Sequence, residues 1–103
     1  VIAYEIIIGK RPYLGKTRKE IRDKIIASQA VIKRTDIPEG WSIESADFVN
    51  QLLKRKHFDR LGHNGPQKVK DHVWFKDFSW DKLANKEIVS PFIPNVEEDN
   101  FDA

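Results

Sequence analysis

The sequence predicts a mainly α-helical fold, and three observations carry that prediction. Thr17 stands three residues before Glu20, the arrangement of a capping box at the start of a helix. Phe48 with Leu52, and Val49 with Leu53, make two adjacent rows at i, i+4 spacing, as one apolar helix face requires. Pro66 follows the turn-forming pair Asn64 and Gly65 and suits a first helical position, where its missing N–H costs nothing. At 103 residues the chain has length for one small domain and too little for two cores.

The elements follow in order. Residues 1–8 hold Val1, Ile2, Ile6, Ile7 and Ile8, a β-branched run whose propensity favours a buried strand. Ile2 and Ile6 are also four apart, as a helix face needs, so periodicity leaves strand and helix both open. Gly9 ends the element, and residues 10–16 are a loop punctuated by Pro12 and Gly15. The capped helix covers residues 18–29, with Ile21, Ile25 and Ile26 as a narrow apolar stripe and Arg18, Lys19, Arg22 and Lys24 toward water. Residues 35–40 read as a loop, because Pro38 blocks a regular helix and Gly40 permits unusual backbone angles. Ser42 then caps a helix over residues 43–54, which carries the two apolar rows. The Pro66 helix runs to His72. Trp74, Phe75, Phe78 and Trp80 form an aromatic cluster expected in the core, with one further turn over residues 81–84. From Pro91 on, the prolines keep the chain extended. Glu97, Glu98, Asp99 and Asp102 give an acidic end that needs an external surface to pack.

Composition removes several function classes. The absence of cysteine leaves no disulfide framework and no zinc-thiolate site, and a cytoplasmic, reducing location is expected. The longest nearly apolar stretch is eight residues and contains Glu5, far short of the roughly 20 that span a bilayer, so no membrane partner is expected. The net charge of +2 is too mild to imply affinity for nucleic acid or a membrane surface by itself. The chain has no methionine, even at position 1, which leads us to expect an internal piece of a longer protein.

Candidate chemical motifs are sparse. The string GKRPYLGKT, from Gly9 to Thr17, lies between a possible strand and a capped helix, as a phosphate-binding P-loop would. Five residues separate its glycines where that motif has four, and Pro12 removes one amide, so an ordinary connection is the better reading. His57, His63 and His72 match no common zinc spacing and read as solvated or capping residues. No serine sits in a GxSxG elbow. Between Lys10 and Lys24 seven basic residues face two acidic ones, yet no aromatic interleaves with them on the helix, so no nucleic-acid partner is expected.

Taken in order, five segments resemble the C-terminal lobe of a eukaryotic protein kinase of the AGC group, which includes the cyclic-AMP-dependent kinases. They are VIAYEIIIGKRPY, ADFVNQLLKRKHFDRLG, DHVWF, PFIP and DNFD. The resemblance implies the helical C-lobe portion of the bilobal α+β kinase fold over residues 1–90, and the start of an AGC tail over residues 91–103. It also resolves residues 1–8 as the end of the buried central helix of that lobe.

The same resemblance assigns roles by motif position. Ile2 and Ile6 match the aliphatic pair that supports the apolar column beneath the adenine of ATP. Glu5 matches the acid that pairs with a substrate arginine in basophilic members. Arg60 matches the arginine that pairs with a glutamate of the activation segment, and an unpaired, partly buried guanidinium would be costly. Phe101 matches the tail aromatic beside the nucleotide, although the chain departs from the family's FDDY continuation. The Gly-rich loop, strand lysine, HRD and DFG motifs that phosphoryl transfer needs do not occur, so no catalytic residue is expected here. ATP and Mg belong to the complete parent kinase, and none is expected to bind this chain alone. The implied partners are the remainder of the kinase domain and a peptide substrate with basic residues. A pseudokinase or scaffold lobe shares every one of these features. A phosphate- or nucleic-acid-binding module would rest instead on Lys16 and its basic neighbours.

Overall fold

The β-branched run at the start of the chain folds as a helix, α1 (Ile2–Ile8), against its strand propensity and with Ile7 as its one buried residue. Ile7 is buried in the core, and Ala3, Tyr4 and Ile8 pack around it. Gly9 closes the helix in the left-handed region at φ 88°, where its N–H donates to the Glu5 carbonyl at 2.8 Å. The computed structural model describes residues 1–95, and Phe101 lies outside them. The described residues form α1, α2 (Arg18–Ala27), α3 (Ile43–Leu52), α4 (Pro66–Lys70) and α5 (Trp80–Ala84), with three short 3₁₀ turns and no strand. No helix among them is long and apolar enough to cross a membrane.

Thr17 caps α2 by accepting the Glu20 amide at 3.2 Å. The Glu20 carboxylate reaches one residue beyond the expected partner and accepts from the Lys16 amide at 2.7 Å. This helix stops at Ala27, two residues short of the expectation. Gln29 is taken out of the helix because its carboxamide bridges to the end of α3, donating to the Leu53 carbonyl at 2.6 Å and accepting from the Arg55 amide at 2.8 Å. No residue of α2 is buried, so its isoleucine stripe is a surface feature here.

Helix α3 carries the core. Ser42 caps it by accepting the Ser45 amide at 3.1 Å. Ala46, Phe48 and Val49 are buried against Ile7 and Ile32, with Val49 only 1% exposed. Asn50 projects toward the segment before α3, where its side chain accepts from the Ile32 amide at 2.7 Å and donates to the Ile32 carbonyl at 3.0 Å. An otherwise unpaired stretch of backbone is thereby satisfied by one amide side chain. The helix ends at Leu52 rather than residue 54.

Helix α4 begins at Pro66 after Gly65 at φ 118°, and ends at Lys70 instead of His72. His72 leaves the helix to hold the next turn. Its Nδ1 accepts the Trp74 amide at 3.0 Å, which puts the ring proton on Nε2, facing Asp47 Oδ2 at 2.8 Å. Phe48 sits among the rings of His72, Trp74 and Phe75, each 5.2 Å from it, and Trp80 packs on Phe75 at 4.9 Å. Trp74 and Phe78 remain exposed on the outer side of this cluster. Among the described residues five buried hydrophobic ones form the core, and the radius of gyration is 17.0 Å against about 13 Å for a compact domain of this length. The helices are thus gathered loosely around α3.

Phe48→Ala removes the ring shared by core and aromatic cluster. The chain should lose about 3–5 kcal/mol of stability in urea unfolding, and a loss below about 1 kcal/mol would mean the cluster packs without it.

Candidate functional site

The residues singled out on α1 fall on a single face. Ile2, Glu5 and Ile6 lie at i, i+3 and i+4, opposite the side that Ile7 buries. Ile2 is 76% exposed and Ile6 67% exposed, so within the described chain neither supports a core. Glu5 is also exposed, and its carboxylate has no hydrogen bond or ion pair among the described residues. Two apolar side chains and one free acid therefore share a surface one helix wide.

Arg60 lies elsewhere, on the turn after α3. Its Nε donates to the Lys54 carbonyl at 2.7 Å and its Nη2 to the Arg55 carbonyl at 3.3 Å. The side chain is exposed, so the expected unpaired, partly buried charge is replaced by a solvated guanidinium that caps the exit of α3. Arg60 and Arg55 border a cleft of about 240 Å³ whose other walls are Val1, Tyr13, Ile25, Leu52 and Leu53. The cleft brings the start of α1 to the turn that carries Arg60. No bond joins Arg60 to Glu5.

The loop of residues 10–16 lacks the features of a phosphate cradle. A helix precedes it where the motif needs a strand. The Lys16 amide at its exit is occupied by the Glu20 carboxylate, an acid placed where a phosphate would have to sit. Lys24 Nζ donates to the Leu14 carbonyl, and Tyr13 bridges the loop to the segment beyond α2, donating to Ser28 O at 3.1 Å and accepting from Ala30 N at 2.8 Å. The loop is a strap, and the P-loop reading falls.

No group of three His, Cys, Asp or Glu side chains among the described residues could hold a metal. His57 and His63 do meet, with ring centroids 5.6 Å apart, while His72 is buried as a capping residue. Sequence reasoning missed Gln29, Asn50 and the Asp47–His72 pair. The one signal for Asn50 was a polar amide directly beside the apolar rows of α3.

No family model matches the chain. It is 33% identical over 108 residues to the "cAMP-dependent protein kinase, catalytic subunit-like" of Caenorhabditis elegans, covering 99% of this chain and 26% of that protein. It is 35% identical over 96 residues to "Serine/threonine-protein kinase sgk-1" of the same organism, covering 92% of this chain and 20% of that protein. The human "Ribosomal protein S6 kinase alpha-6" is 32% identical over 94 residues, covering 91% of this chain and 12% of that protein. The chain belongs to the AGC-type serine/threonine protein kinases. It spans about a quarter or less of the length of these relatives, and its helices form a segment of the kinase C-lobe.

In this kinase C-lobe segment Arg60→Ala removes two carbonyl bonds at an exposed turn and should lower stability by about 1 kcal/mol in thermal unfolding. Arg60→Lys lacks the planar fork and should recover little of that. Full recovery by lysine would show that charge alone holds the turn.

Proposed function

We propose that this chain is the substrate-facing floor of a Ser/Thr kinase that transfers the γ-phosphoryl group of Mg-ATP to protein hydroxyls. The observation that carries the reading is the outward face of α1, where Ile2, Glu5 and Ile6 stand together with no partner among the described residues. Ile2 and Ile6 are the seat for the apolar column under the adenine, supplied by the remainder of the kinase domain. Glu5 receives the arginine of a basic peptide substrate, and Arg60 receives the glutamate that ends the activation segment. Phe101, with residues 91–103 as the start of the AGC tail, contributes the contact beside the nucleotide. ATP and Mg are held by the complete kinase, in an intracellular setting. The residues of this chain bind and support, and none acts on the transferred phosphoryl group.

The free carboxylate of Glu5 gives this reading its chemistry. A charge-assisted bond from a substrate guanidinium contributes roughly 1.5–3 kcal/mol when partly desolvated. Glu5→Ala in the complete kinase should lower kcat/KM about tenfold or more for peptides with an arginine just before the target residue. Peptides without that arginine should be little affected. Equal losses for both peptide classes would refute the role of Glu5. The 103-residue chain alone should phosphorylate no peptide, and calorimetric titration with Mg-ATP should give no saturable heat.

A further inference from the structure

The turn after α3 gathers charge that the whole-chain balance conceals. The net charge of the chain is only +2, too mild by itself to imply affinity for a membrane surface. Yet Lys54, Arg55, Lys56 and Arg60 fall within seven residues, with Asp59 the one acid among them. All of these are exposed. Lys54, Arg55 and Lys56 line one open hollow of about 340 Å³, shared with Gln29 and Asp59. The backbone beneath is pinned, because Gln29 accepts from the Arg55 amide and Arg60 donates to the Lys54 and Arg55 carbonyls. The cations are therefore presented on an ordered support, with little further ordering needed to meet an anion.

Beside the hollow stands Phe58, 54% exposed. Its ring meets the edge of His57 at 5.4 Å and lies under the Lys56 ammonium, 5.9 Å from the ring centroid. Ile26, also exposed, is next to the patch, since its carbonyl accepts from Arg55 Nη1 at 2.8 Å. A bare aromatic ring thus stands beside the cations, with Ile26 adjoining them.

We propose that this turn docks on an anionic lipid surface, with headgroup phosphates in the cationic hollow and Phe58 in the interfacial layer. A dissolved polyanion would satisfy the lysines but leave Phe58 and Ile26 in water, whereas a bilayer interface takes both kinds of side chain. With Lys54, Arg55 and Lys56 offset by Asp59 and a single ring, the docking is reversible rather than a stable anchor. The proposal stands on this turn alone and is independent of the kinase reading.

The test is sedimentation of the full chain with phosphatidylcholine vesicles, with and without phosphatidylserine. Binding should require phosphatidylserine and weaken with added salt. Each lysine at an anionic surface strengthens binding about fivefold, so the K54Q/K56Q double variant should bind about 25-fold more weakly. Neither lysine side chain makes a hydrogen bond or ion pair among the described residues, so the variant keeps the fold. Phe58→Ala should weaken binding to the same vesicles without changing its salt dependence. Equal sedimentation with neutral vesicles, or unchanged binding by K54Q/K56Q, overturns the proposal. So does lysine-dependent binding that is tighter to a single-stranded oligonucleotide or a polyglutamate peptide than to the vesicles.

Discussion

The seating of α3 against Ile7 and Ile32 is the constraint on which the rest of the structure depends. Val49 and Phe48 supply its apolar side, and Asn50 locks the neighbouring backbone through two hydrogen bonds to Ile32. With so few fully buried side chains, the described residues hold no second core to fall back on. The aromatic cluster is an extension of the same seat, because Phe48 belongs to both. The C-terminal end of α3 is organised from outside the helix, by Gln29 and Arg60 on its last carbonyls and the turn beyond.

This arrangement gives α1 two unlike faces. Ile7 holds the helix to α3, and that attachment fixes the direction in which Ile2, Glu5 and Ile6 point. A carboxylate between two exposed isoleucines is poorly suited to solvent and well suited to an interface, where the apolar pair is covered and the acid meets a cation. The kinase relatives supply the identity of that interface in the proposed reading, while the physics of the face comes from this chain. Specificity would then rest on a residue that the fold positions but does not use for its own stability.

Much of the helical plan was legible because it rests on local rules. Thr17, Ser42 and Pro66 start helices where capping chemistry says they should, and the rows on α3 face the core as their spacing requires. Residues 1–8 were ambiguous from periodicity and propensity, and only the family resemblance pointed to helix. Helix ends were misplaced where a side chain serves a distant partner. Gln29 leaves α2 for Leu53, 24 residues away, and His72 leaves α4 for Asp47, 25 residues away. No local pattern encodes such bonds. The two backbone carbonyls that accept from Arg60 are likewise invisible in a sequence motif. The candidate face on α1 was legible as residues, but its exposure depends on what else packs around it.

The central claim is that α3 holds α1 by its inner side only and leaves the outer side for the rest of a kinase domain. Amide hydrogen exchange, followed on this chain alone and on the complete kinase, tests it most directly. The amides of α3 should exchange slowly in both, while those of α1 should exchange quickly in the chain alone and become strongly protected in the complete kinase. Equal protection of α1 in the two would contradict the claim, because its outer face would then have nothing left to receive.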